Sequence, residues 1–201
     1  MVDAMTRNPP RFNAALEPLE STLPAHIAEA VGRIVTRHSY LEWVMGQVLY
    51  SLLEISIKQG RKVVRRPEPR QYVAAVQGLY AFHGLQTGFD FVSLGARIEA
   101  ADRARDAVAH SVYMRDVNEG GDRVHLVRGS WALDTPDDSV SRDIWPEAPV
   151  VDRALLTQMR QEVEAAVKAA QALQDETNRL LRELHEARRT DPRLNRRRAG
   201  R

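Results

Sequence analysis

Apolar residues recur at steps of four and three along two long stretches of the chain. The first stretch reads Ile27, Val31, Ile34, His38, Leu41, Met45, Val48, Leu52 and Ile55. The second reads Leu156, Met159, Val163, Ala166, Ala170, Leu173, Thr177, Leu180 and Leu184. Such spacing lays the residues along one face of an α-helix. Thr22 is a suitable N-cap for the first helix, with Pro24 in its first turn, and Gly60 is its expected stop. The last helix is predicted from the N-cap Asp152 to about Arg188, and its central alanines admit a close neighbour. A shorter helix is expected from Gln71 to about Leu85, on Val73, Val76, Tyr80 and His83, with Gly84 and Gly88 at its end. Another is expected from about Phe91 to Ser111, on Leu94, Ile98 and Ala101. The pattern then changes. Two β-prone runs, Val112 to Asp116 and Arg123 to Arg128, flank Gly120-Gly121 and predict a hairpin over about 112–131. Pro136, Pro146 and Pro149 make 134–150 a loop, bracketed by Trp131 and Trp145, which pin it to the body. If the two long helices pair antiparallel and two shorter ones join them, the fold is all-α. It is then an up-and-down bundle of four main helices with a small β-hairpin inserted before the last helix. The same seams are equally able to extend into a dimer interface.

The helical pattern bounds a domain over 22–188. Before it, 1–21 reads as irregular because Asn8-Pro9-Pro10 and Pro18 interrupt regular structure. After it, 189–201 is a basic tail with Arg193, Arg196, Arg197, Arg198 and Arg201, expected to be disordered. With 201 residues, 43% of them apolar, the chain has enough material for one ordinary core. The net charge of +2 is too small to demand a polyanionic partner. Cysteine is absent, which excludes disulfides and thiolate catalysis. No signal-peptide pattern or long apolar run is present, so a soluble cytoplasmic protein without membrane contact is expected. His26, His38, His83, His110, His125 and His185 show no ligand spacing, so neither a metal nor a cofactor is expected.

One position breaks the pattern. Extending Leu94, Ile98 and Ala101 by the same steps gives Arg105, then Val108 and Val112. An arginine at a core position needs an anion or a wet cleft, and Asp106 and His110 lie close by in sequence. At about 100° per residue, His110 projects roughly 40° from Asp106 but roughly 140° from Arg105. Within one chain Arg105 and His110 therefore point apart, unless the arginine curls round or a second copy completes the site. Histidine moves protons near neutral pH, arginine braces a phosphate through two N–H bonds, and aspartate fixes an imidazole's orientation. Together they suit RNA cleavage by the 2′-hydroxyl. The competing reading is an ion pair at Arg105 and a helix C-cap at His110. His38, the polar interruption of the first seam, is either a satisfied core histidine or, with Glu42, a partner facing Arg105 across the bundle. Arg61, Lys62, Arg65, Arg66 and Arg70 form either a set of RNA-phosphate contacts or a solvated basic loop.

The run Arg105-Asp106-Ala107-Val108-Ala109-His110 resembles the Arg-x4-6-His signature of the HEPN superfamily, with aspartate where asparagine is common after the arginine. Tyr40-Leu41-Glu42 on the first helix, the motif late on a later helix, and a closing helix extend the resemblance over about 22–188. It implies a helical bundle that dimerises and brings two motifs together. It further implies a metal-independent endoribonuclease leaving 2′,3′-cyclic phosphate ends in a toxin–antitoxin or phage-defence setting. Arg105 and His110 would be the catalytic pair and Asp106 the polar modulator, with RNA, a second copy and an antitoxin as partners. The alternative under the same resemblance is a non-catalytic module that binds nucleic acid or protein.

Overall fold

The computed structural model describes residues 16–18, 23–63, 69–116, 123–127 and 150–190. In chain order these form β1 (Leu16–Pro18), α1 (Ala25–Leu52), α2 (Ile57–Val63), α3 (Pro69–His83), α4 (Phe91–His110), β2 (Val112–Asp116), β3 (Val124–Val127) and α5 (Arg153–Thr190). The class is the expected one, all-α with a small antiparallel insertion before the last helix. The chain divides into two compact units, Met1–Val35 with Ala104–Arg160 and Thr36–Arg103 with Gln161–Arg201. The helices α1, α4 and α5 contribute residues to both.

The first unit joins the N-terminal turns of α1 and α5 and the end of α4 to the sheet. Strand order is β1-β2-β3, all antiparallel, with Glu17 opposite Arg115 and Tyr113 opposite Leu126. The expected hairpin is therefore present, but β1 corrects the irregular reading of 1–21. Pro18 lacks an N–H, yet on an edge strand that loss is tolerated. Val151 N donates to Val124 O at 2.7 Å on the opposite side of β3, leading the chain into α5. Asp152 caps α5 as expected, accepting from Leu155 N at 2.7 Å. Ile27, Ile34, Ala104, Val108, Val124, Leu126, Val151 and Leu156 form the buried set of this unit.

The second unit is a helical bundle. Its core takes Leu41, Val44, Met45, Val48 and Leu52 from α1, Val76 and Tyr80 from α3, Leu94 and Ile98 from α4, and Val163, Ala166, Ala170 and Leu173 from α5. Both predicted seams are thus largely buried. The expected antiparallel pairing of α1 with α5 is not what forms. Arg37 bonds Glu164, Gln171 bonds Tyr40, and His185 and Arg188 reach Glu54, so the numbers rise together and the helices run parallel. The reason lies in α4. Its start is level with Thr177, because Phe91 meets the Tyr80 ring and Tyr80 bonds Thr177, whereas Asp102 meets His38. The direction is therefore up in α1, down in α4 and up in α5.

Among the described residues three polar side chains are buried, His38, His125 and Thr177, and two of them, His38 and Thr177, make side-chain hydrogen bonds inside the second unit. Thr177 Oγ1 donates to Leu173 O at 2.7 Å and accepts from the Tyr80 hydroxyl at 2.7 Å, so the two buried hydroxyls satisfy one another in series. His38 is treated with the site below.

The first helix stops at Leu52 rather than running to Gly60. Glu54 adopts φ 53°, and Ile55 N returns to Tyr50 O at 3.1 Å, the geometry of a left-handed helix end. Ser56 and Gln59 then start α2 reciprocally: Ser56 N donates to Gln59 Oε1 at 2.9 Å, and Gln59 N to Ser56 Oγ at 3.3 Å. This capping box outweighs the continuing apolar pattern at Ile55. Gly60 lies inside α2, where the Tyr50 ring packs directly over its α-carbon. Gly84, at φ 65°, does end α3 as expected, with Leu85 N returning to Tyr80 O at 2.9 Å. The expected N-cap Thr22, Trp131, Trp145, the bulk of the 134–150 loop and the tail from 191 lie outside the described residues.

A β-carbon at position 60 would collide with the Tyr50 ring. Gly60→Ala should therefore destabilise the protein by about 1–3 kcal/mol, the usual cost of overpacking, despite alanine's better helix propensity. Pairing it with Tyr50→Leu should recover most of that loss in urea denaturation. A Gly60→Ala protein as stable as wild type would contradict the close packing.

Candidate functional site

The last three turns of α4 carry the motif. Buried positions along α4 run Leu94, Ile98, Ala101, Ala104, Val108. Steps of three and four from Ala101 lead to Ala104 and Arg105 respectively, and the helix turns the alanine inward. Burying Ala104 removes a methyl from water, whereas burying Arg105 would strip a guanidinium. Arg105 thus stands at the margin of the stripe, with 29% of its side chain exposed, and not at a core position.

Its head curls toward the helix end. Arg105 Nη1 is 2.7 Å from Asp106 Oδ1 and 3.2 Å from His110 Nε2. The two residues expected to point apart meet within one chain, because the arginine stem spans the angle that the backbone leaves. Asp106 Oδ1 lies 4.0 Å from His110 Nε2, beyond hydrogen-bond range, so Asp106 braces the arginine instead of orienting the imidazole. A guanidinium only donates. His110 Nε2 must therefore accept, which places its proton on Nδ1 and makes Nε2 a lone pair held under a cation. His110 is the last residue of α4, and two-thirds of its side chain is open to solvent.

The strand that follows fixes this helix end. The Tyr113 hydroxyl donates to Val108 O at 2.8 Å, occupying one of the carbonyls that a helix C-terminus leaves without an internal partner. Burial pushes the Tyr113 phenol up to about 12. This residue was not among the sequence candidates. Its only sequence signal is an aromatic at the second position of a strand entered straight from the helix.

His38 is 2% exposed, and its Nε2 lies 2.6 Å from Asp102 Oδ1. An ionised carboxylate only accepts, so Nε2 carries the proton. Glu42 Oε1 is 3.9 Å from the other ring nitrogen. The satisfied-histidine reading of His38 thus holds, with a partner that sequence reading passed over. Asp102 lies four residues after Ile98 on the margin of the apolar stripe, and that position was the available signal. The anion beside Arg105 is Asp106, the one its own segment supplies. Tyr40 and Trp43 stack at 5.6 Å, with Arg37 over the Tyr40 ring.

The basic segment is only partly described. Arg61 and Lys62 are exposed in the last turn of α2. Arg65 and Arg66 lie outside the described residues, as does the side chain of Arg70. Arg61 and Lys62 belong to the second unit and the Arg105 cluster to the first. Among the described residues no three histidine, aspartate or glutamate side chains converge as a metal centre, and no helix is long and apolar enough to cross a membrane.

The raised Tyr113 pKa fixes the sign of an alkaline effect. The unfolded phenol ionises near 10, while the folded one keeps its proton to about 12. Its contribution to stability is complete below the unfolded value and is lost as pH rises through the folded one. Denaturant midpoints should therefore fall between pH 10 and 12, and Tyr113→Phe should flatten that part of the profile. Equal slopes in the two proteins would remove Tyr113 from the account.

No family model matches the chain, and no curated protein or solved structure does so either; its own side chains carry the functional reading.

Proposed function

We propose that the chain is a HEPN-like, metal-independent endoribonuclease. The observation that carries this reading is the contact of Arg105 Nη1 with both Asp106 and His110 at the end of one helix. A proton acceptor that is largely open to solvent and a partly covered, phosphate-bracing cation then lie within one hydrogen bond of each other.

The chemistry follows from that contact. A phosphodiester entering the cluster competes for the guanidinium, which favours a phosphate through paired charge-assisted bonds. Drawing Arg105 onto the phosphate frees the lone pair on His110 Nε2. That nitrogen takes the proton of the 2′-hydroxyl as its oxygen attacks the neighbouring phosphorus. The P–O2′ bond forms and the P–O5′ bond breaks. The departing 5′-oxygen collects a proton from water or from the imidazolium of a second copy, leaving a 2′,3′-cyclic phosphate. Arg105 steadies the charge that accumulates on the non-bridging oxygens. Asp106 holds the arginine ready and must release it in part.

The setting that goes with this reading is a toxin–antitoxin or phage-defence system, with a homodimer as the working form, RNA as substrate and an antitoxin as a protein partner. The 2.7 Å pair between Arg105 and Asp106 favours a second reading, because a carboxylate already neutralises the cation. In that reading the module binds nucleic acid or protein without cutting.

Incubation of the purified chain with single-stranded RNA and a chelator separates the two. The nuclease reading expects 2′,3′-cyclic ends, a loss of roughly 10²–10⁴-fold in rate for His110→Ala, the usual share of a general base, and an unchanged melting temperature. Asp106→Asn should keep or raise activity. Absence of cleavage, with His110→Ala behaving as wild type in cells, would leave the non-catalytic module.

A further inference from the structure

The first turns of α1 and α5 enclose a groove of about 510 Å³ within the first unit. It is of the size that holds small ligands or one segment of a polymer, for which roughly 300–1,000 Å³ is usual. His26, Glu29 and Arg33 line it from α1, and Arg153, Thr157 and Arg160 from α5. Each helix gives residues spaced over seven positions, so the lining is a stripe along each helix and not a single point.

The charge on this lining is uneven. Glu29 pairs with Arg33 at 2.6 Å. Asp152, next to Arg153, already accepts the Leu155 amide as the N-cap of α5. Arg153 and Arg160 have no partner among the described residues. Elsewhere on α5 the arginines are differently placed: Arg179 bonds Glu176 and Glu183, Arg182 bonds a backbone carbonyl, and Arg188 reaches Glu54. Two exposed guanidinium groups thus stand on one wall of the groove, with His26 and Thr157 as further polar groups. Guanidinium groups donate paired, charge-assisted bonds to phosphate oxygens, and such contacts carry no base information.

We propose that this groove holds the phosphodiester backbone of single-stranded RNA. The proposal rests on the nuclease reading for its ligand and deepens it by placing substrate contacts in the same compact unit as Arg105, Asp106 and His110. In the sequence the basic segment containing Arg61 and Lys62 is one candidate for such contacts, and those two residues lie in the second unit. Arg153 and Arg160 are binding residues here, not catalytic ones.

The test uses the full chain and a labelled, fully 2′-O-methylated oligoribonucleotide, which binds but is not cut. The Arg153→Ala/Arg160→Ala protein should bind it at least about tenfold more weakly at low salt. Its slope of log affinity against log salt should be shallower by about 1.4, the value for two contacts to a single strand. Arg153→Lys/Arg160→Lys should restore most of both. Arg61→Ala/Lys62→Ala removes the same charge and should cost much less. Equal binding by wild type and the arginine double variant would overturn the groove, as would an equal loss in the Arg61/Lys62 control or no binding by wild type. The two proposals fail separately. If wild type cuts RNA and the groove variants change neither binding nor cleavage, the groove is wrong and the nuclease stands. If the groove variants weaken binding but wild type cuts nothing, the nuclease is wrong and the groove stands.

Discussion

The bond from His38 to Asp102 ties the first helix to the fourth inside the second unit. A buried imidazole without a partner is costly, on the order of 1–3 kcal/mol, so the two helices are held at a defined level along their lengths. Asp102 lies one turn before Arg105 on the same helix. Six residues later the helix is held again, where Tyr113 bonds the Val108 carbonyl. Within the first unit the head of Arg105 is engaged by Asp106 and His110, which limits where the long side chain reaches.

That limit changes how the arginine behaves. On an open helix face a guanidinium samples many rotamers and loses much entropy on binding an anion. Here one nitrogen is already shared between a carboxylate and an imidazole nitrogen. The neighbours also set a threshold. Any incoming anion has to outcompete Asp106, a singly charged group beside it in sequence, and a phosphodiester does so only by offering two oxygens in the plane of the fork. Under the proposed nuclease reading, this competition is what selects a phosphodiester over other anions.

Much of this architecture is written in the periodicity of the chain. The seams of α1 and α5, the cap at Asp152, the stop at Gly84 and the hairpin were legible because each depends on local spacing or on one residue's backbone preference. What escaped reading depends on partners remote in sequence. The strand at Leu16–Pro18 has little pattern of its own and exists through β2, about a hundred positions away. The direction of α5 relative to α1 follows from where α4 ends, which periodicity does not encode. Arg105 shows the finer limit: steps of three and four were both open after Ala101, and only desolvation decides between them. Helix geometry sets Arg105 and His110 roughly 140° apart, and the arginine stem crosses that angle. Gly60 was read as a stop, but the Tyr50 ring, ten residues earlier, accounts for it.

The division of the chain into two units has a consequence for the order in which the protein is made. Neither unit is built from a continuous length of sequence, and both require α5. When the ribosome has released α1 to α4, Leu41, Val48 and Tyr80 still lack the α5 residues that share their core, and Thr177, which satisfies the Tyr80 hydroxyl, has not been made. The apolar face of α1, complete at Leu52, therefore waits until the chain has passed Arg153 before its cover arrives. Contacts so distant in sequence close slowly, because the intervening chain must first lose its freedom. Until α5 emerges, the growing chain offers its stripes to whatever else is near, so α5 governs the exposure of α1 and α3 to chaperones and to aggregation.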